Sequence, residues 1–309
     1  MVETIKDDTN LQLMDNSVQR FQQKNEREYR FPPLLNFLKT RFSERLIAEN
    51  KQTVSTGLPN LDVALNGGWS PGLHVIAGIP QSGKRSLLVH MAEEFAKQEY
   101  VVIIITSKES PSSILQRIMA RTTFKNNPSN AIPLSQIPIL LPNNPLLLKQ
   151  LTNQIAPTVK YLSVVQTNNL DFQSLEERLR QQKSVHDKSI ILLNMHELSS
   201  WETDKEKLIE KFTSLHRISK KLQIIMIATF DLNQNHHENL ANGHLTFAGI
   251  ERHVDTFLFL NSPIDKPADI TPNPHNNRLV SLQIQKNFIG QKSIVHLKNR
   301  SNFGYFQEG

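Results

Sequence analysis

The run Gly78-Ile79-Pro80-Gln81-Ser82-Gly83-Lys84 places two glycines and a lysine at the spacing Gly-x4-Gly-Lys, the first seven positions of a phosphate-binding loop. The chemistry served by this spacing is anion capture. Backbone N–H groups turn inward around phosphate oxygens, the N-terminus of the following helix adds its dipole, and Lys84 offers a full positive charge to the outer phosphates. At the eighth position, where the pattern carries a serine or threonine hydroxyl for magnesium, the chain has Arg85. Ser86 comes next, but one residue turns a helix by ~100°, so its side chain points elsewhere. Gly78, Ile79, Pro80, Gln81, Ser82, Gly83, Lys84, Arg85 and Ser86 are the candidate binding set.

Such a loop needs a strand to fix its start and a helix to fix its end. Residues 73–77 read as the strand, and Leu87, Leu88, Met91 and Phe95 as the buried face of the helix. Downstream, strands are predicted at 100–106, 161–165, 189–193 and 223–229, alternating with helices at 112–120, 172–182 and 205–222. That rhythm predicts an α/β fold with a mostly parallel central sheet covered by helices on both faces. Segments 254–260, 279–285 and 293–297 have hairpin-like spacing and predict antiparallel strands at the end of the sheet. The stretch 123–153, with Pro128, Pro133, Pro138, Pro142 and Pro145, reads as loop with short helical pieces.

Residues 1–52 are polar and lack glycine. Within them, Leu34, Leu38, Phe42 and Leu46 recur every four positions, describing an amphipathic helical arm with one face to bury on its own domain or on a neighbouring subunit. The expected division is a helical extension over 1–52 and one domain over 53–309.

Composition narrows the chemistry further. The 309 residues contain no cysteine, which removes disulfides, cysteine-ligated zinc, iron–sulfur clusters and thiol catalysis. Only 11 residues are glycine, and six of them lie between positions 57 and 83, where close ligand approach or unusual backbone needs them. No aliphatic run approaches the ~18 residues of a membrane span, and the acidic N-terminus is not a signal peptide. A soluble, cytoplasmic protein without membrane contact is expected. A formal charge of +6 permits an anionic partner without demanding one.

The segments around the loop carry a resemblance. Thr56-Gly57-Leu58-Pro59-Asn60-Leu61-Asp62, Gly68-Trp69-Ser70-Pro71-Gly72 and the loop itself resemble the entry to the RecA-like motor domain of DnaB-type replicative helicases, an opening also similar to that of RadA and KaiC relatives. Ser107-Lys108-Glu109-Ser110 is similar to the family's Ser-Leu-Glu-Met, which implies that Glu109 activates the attacking water. Residues 190–198 resemble the magnesium-associated strand, 227–234 the sensor strand, 245–260 the Leu-Arg-x-Ser-Gly segment, and 279–306 the closing strands around Lys-Gln-Arg-Asn-Gly, where Lys286 matches the lysine. The resemblance covers 53–306 in order and implies ATP as ligand, with Glu109 and Lys84 catalytic and Lys286 added to the binding set.

Set against that family, four positions depart. Arg85 replaces the magnesium hydroxyl, Asn194 the acidic end of the magnesium strand, Asp231 the sensor glutamine, and Phe288 the arginine that reaches a neighbour's nucleotide. An arginine supplied in this way contributes ~10³–10⁵ in rate. Glu197 is three residues past Asn194 and faces the other side of an extended strand. Arg85 adds one positive charge and Asn194 removes one negative charge, together the charge of magnesium, so metal-free phosphate binding is expected and no metal site is assigned.

Contact with single-stranded DNA has thin support. The matching channel loop, 233–244, has no lysine or arginine, and phosphate neutralisation drives non-specific DNA affinity. A basic run at Arg278, Lys286, Lys292, Lys298 and Arg300 is the better candidate, although such runs often form a solvated face. His236 and His237 read as polar loop residues. The expected function is a degenerate DnaB-like member linked to DNA replication, binding nucleotide with weak or absent hydrolysis as a motor remnant or accessory subunit. The expected partners are nucleotide, single-stranded DNA, and further copies in a ring or a helicase or replication partner. The alternatives are an active ATP-dependent replicative helicase or translocase and a RadA-like recombination ATPase.

Overall fold

The computed structural model describes residues 53–167, 171–195, 205–232, 249–261, 277–287 and 292–309, all within the unit Thr53–Gly309. The amphipathic arm, the loop 233–244, Glu197 and Phe288 lie outside the described residues.

Nine strands form one sheet: β1 (Gly72–Gly78), β2 (Val101–Thr106), β3 (Leu162–Gln166), β4 (Ser189–Asn194), β5 (Ile225–Asp231), β6 (Thr256–Asn261), β7 (Asn277–Asn287), β8 (Ile294–Arg300) and β9 (Tyr305–Glu308). Their order is β3-β2-β4-β5-β1-β6-β7-β8-β9. The first six in that order run parallel and the last three antiparallel, as the strand spacing predicts.

The central strands are continuous apolar runs because both of their faces are covered. In β4, Ile190 and Leu192 enter one core while Ile191 and Leu193 enter the other. The first core is completed by α2 (Lys84–Lys97), α3 (Pro111–Asn126) and α5 (Pro145–Val159), through Leu87, Met91, Phe95, Ile118 and Ile155. The second is completed by α6 (Phe172–Val185) and α7 (Lys205–Leu222), through Leu179, Phe212, Leu215 and Ile218. Two short helices complete the set, α1 (Pro59–Ala64) before β1 and α4 (Ile137–Leu140) between α3 and α5.

The reading of 123–153 as loop with short helical pieces holds over 127–144 and is corrected at both ends. Helix α3 runs on to Asn126, and the 15-residue α5 begins at Pro145. Pro128, Pro138 and Pro145 sit in the first turn of their helices, where a missing N–H costs nothing and the fixed φ suits the helix. Asn144 caps α5, its side chain accepting from Leu147 N at 3.1 Å. Prolines that look like interruptions are start signals here. Strand β9 was also not expected. Its Glu308 carboxylate accepts from the N–H groups of Asn60 (2.8 Å) and Leu61 (3.1 Å) at the start of α1.

For function, register matters most. Gly78 pairs with Asp231, Thr229 with Asn194, and Leu193 with Ile105. The parallel run therefore brings the carboxyl ends of β1, β5, β4 and β2 to one edge, where open α/β sheets bind ligands.

At the opposite end of β1, His74 is buried and its Nε2 donates to the Ser70 carbonyl at 2.7 Å. Burial pushes its pKa down to about 4 from 6.5, against the opposing pull of that hydrogen bond and of the Asp255 carboxylate. The unfolded chain therefore takes up the proton first. His74's contribution is complete above pH 6.5 and is lost as pH falls towards 4, a change of ~3 kcal/mol at ~1.4 kcal/mol per unit. Urea unfolding is expected to show falling stability across this window and a shallower fall in His74→Gln; identical slopes would contradict the assignment.

Candidate phosphate-binding site

The loop between β1 and α2 has the backbone that its glycines promise. Gln81 has φ +64° and Gly83 φ +100°, both left-handed. Successive N–H groups in turns of this kind form anion-binding concavities. A Cβ at Gly83 would stand 2.9 Å from Asn299 Nδ2 and 3.2 Å from the Phe306 ring, and one at Gly78 would stand 2.8 Å from the Leu260 carbonyl. Gly83 combines close approach with a left-handed φ, and at Gly78 the obstacle is a backbone carbonyl, so a side chain is disfavoured at both.

Lys84 opens α2 and is buried. Its Nζ lies 2.7 Å from Asp231 Oδ1 and donates to the carbonyls of Gly78 (2.8 Å) and Ile79 (2.5 Å) and to Ser82 Oγ (3.2 Å). Four acceptors thus surround an ammonium with three N–H bonds. Burial lowers the lysine's pKa from its usual value, Asp231 pulls it back up, and Arg85 nearby lowers it again. Asp231, read from sequence as a lost sensor, is the counter-ion of the loop lysine.

Around this pair opens a cleft of about 360 Å³. Pro80, Gln81, Gly83, Arg85 and Ser86 line it from the loop, Lys108 and Arg117 from the β2 and α3 side, Asn194 and Thr229 from the strand ends, and Arg278, Asn299 and Ser301 from the antiparallel strands. Glu109 is buried beside it, with Arg117 Nη2 at 3.1 Å and Arg85 Nε at 3.9 Å. Its charge is committed to two guanidinium groups. Arg117 also donates to Ser86 Oγ at 3.3 Å, so that hydroxyl is held away from the position Arg85 occupies. Asn194 Oδ1 accepts from Thr229 Oγ1 at 3.1 Å.

Among the described residues the donor set is poor for magnesium. The two positions from which such loops bind it hold a guanidinium and an amide, and the nearby Asp231 is paired with Lys84. Among the described residues no group of three or more His, Cys, Asp or Glu could hold a metal ion.

The structure brings together most of the predicted set: Gly78 ends β1, 79–83 form the turn, and Lys84, Arg85 and Ser86 open α2, with Glu109, Asn194 and Asp231 beside them. Lys286 is not brought there. Its Nζ donates to the carbonyls of Glu251 (2.7 Å) and Val254 (2.6 Å), closing the turn before β6. The basic run does not share one surface either. Arg278 lines the cleft, Arg300 stacks over the Phe124 ring at 5.0 Å, and Lys292 is exposed. Arg117 and Asn299 were missed by sequence reading. Arg117 lies in α3, eight residues past Glu109, and Asn299 is the register partner of Arg278; the second relation is visible only in the folded sheet. Among the described residues no helix is long and apolar enough to cross a membrane.

The family model for the DnaB-like helicase C-terminal domain matches residues 53–308. Two solved structures share the fold. One is an ATPase domain, with TM-score 0.72 and 17% identity, covering 90% of this chain and 99% of its own. The other is a DnaB-like replicative helicase described with its interactions with primase, with TM-score 0.67 and 15% identity over 96% of this chain and 73% of its own. None of the curated proteins matches the chain.

The pairing of Lys84 generates a direct expectation. In Asp231→Asn, burial is no longer opposed by a carboxylate, so the Lys84 pKa falls below its value in the unsubstituted protein. Lysine ε-carbon NMR titration measures this; an unchanged pKa would show that the ion pair does not hold the lysine's charge.

Proposed function

Because the chain belongs to the family of DnaB-like helicase C-terminal domains, we propose that residues 53–309 form a RecA-like nucleotide-binding domain working in DNA replication, with ATP hydrolysis weak or absent. The observation that carries this reading is the set of charges at the loop. Arg85 and Asn194 stand where magnesium ligands are expected, and Lys84 is already balanced by Asp231 at 2.7 Å. In this role the domain is a motor remnant or accessory subunit, and single-stranded DNA, further copies of the chain or a replication partner are the surfaces it would meet.

Each residue has a task in such a site. The turn from Gly78 to Lys84 receives the phosphates through its N–H groups. Arg85, Lys108, Arg117 and Arg278 line the same cleft and supply the positive charge that a metal supplies in related sites. Hydrolysis also needs a water held by a carboxylate. Glu109 stands at the right place in the chain but is bound by Arg117 and Arg85, so it must be released before it can orient water. The position of Glu109 is what favours the second reading, an active ATP-dependent helicase or translocase.

Calorimetric titration of ATP in EDTA and in magnesium, with steady-state turnover measured with and without single-stranded DNA, separates the two readings. Binding is expected to persist in EDTA and to vanish in Lys84→Ala, with turnover indifferent to DNA. Arg85→Thr is expected to weaken binding in EDTA by about tenfold or more, the worth of one hydrogen bond from a charged group. Strict magnesium dependence, or strong DNA-stimulated turnover abolished by Lys84→Ala, would overturn the proposal in favour of the motor.

A further inference from the structure

We infer that Asp231 makes this site select a nucleoside diphosphate over a triphosphate, a conclusion that rests on the nucleotide-binding reading above. In a loop of this kind the lysine serves the second and third phosphates. Here the ammonium already has a carboxylate at 2.7 Å and three loop oxygens between 2.5 and 3.2 Å. The second phosphate is also held by the loop N–H groups, whereas a third depends on the lysine and must displace Asp231 from Lys84 or lie beside it, setting two anions against one cation. Asp231 has little freedom to withdraw. It ends β5 in register with Gly78, and the next residue, Leu232, donates its N–H to the Gly78 carbonyl at 2.9 Å.

The charge of the cleft points the same way. Lys84, Arg85, Lys108, Arg117 and Arg278 line it, against the carboxylates of Asp231 and the adjoining Glu109, which leaves three positive charges. A nucleoside diphosphate carries about three negative charges near neutral pH, since a terminal phosphate has its second pKa near 6. A triphosphate brings about one more, and with Arg85 and Asn194 at the metal positions no divalent cation absorbs it. A glutamine at 231 would reverse the local sign of the interaction by offering an amide N–H to the third phosphate.

The test is calorimetric titration of ADP and ATP in EDTA, using the full chain and its Asp231→Gln and Asp231→Asn variants, with circular dichroism to confirm folding. The unsubstituted protein is expected to bind ADP about tenfold more tightly than ATP, a difference of ~1.4 kcal/mol, and both variants to lose that preference. Asp231→Asn, the smaller change in shape, keeps the test open if Asp231→Gln fails to fold. Equal ADP-to-ATP ratios in all three proteins, or a preference of the unsubstituted protein for ATP, would overturn the inference while leaving nucleotide binding intact. No binding of either nucleotide would overturn both.

Discussion

A buried ammonium must be balanced where it stands. Desolvation penalises its charged form, and only nearby acceptors or a counter-ion offset the loss. At Lys84 the offset is local, from two loop carbonyls, one hydroxyl and Asp231, and it is partial, since burial still holds the lysine's pKa below its usual value. That arrangement fixes the phosphate loop against the end of β5. On the proposed reading, a phosphate entering the loop would compete for a cation that already has a partner.

The sheet exists to make that competition possible. Parallel pairing of β2, β4, β5 and β1 collects four strand ends on one edge, and the two cores on either face hold the strands rigid. From the antiparallel side, β7 and β8 bring Arg278 and Asn299 against the same cleft. Asn299 on β8 and Phe306 on β9 stand 2.9 and 3.2 Å from where a Cβ at Gly83 would lie. The loop is therefore clamped between the parallel and antiparallel halves.

Much of this was legible in the chain. Apolar runs such as 189–193 announce strands covered on both faces, and the spacing of Gly78, Gly83 and Lys84 announces the loop, because both signals are local. The helix α5 was hidden because proline has two opposite meanings, breaker inside a helix and starter in its first turn, and only the Asn144 cap tells them apart. The site was half legible. Arg85 and Asn194 could be read as two added positive charges, but the Lys84–Asp231 pair that offsets one of them joins residues 147 positions apart. Lys286 shows the converse: a residue that matched a motif serves here to bind the carbonyls of Glu251 and Val254.

On the proposed reading, cationic side chains, rather than a divalent ion, balance phosphate at this loop. A crystal structure grown with ADP and manganese, with anomalous scattering collected for the metal, tests it most directly. Phosphate density is expected at 78–84, with the Arg85 guanidinium turned towards it and no manganese peak in the cleft. A manganese peak between the phosphates and the ends of β4 and β5, with Asp231 released from Lys84 to ligate it, would overturn the reading.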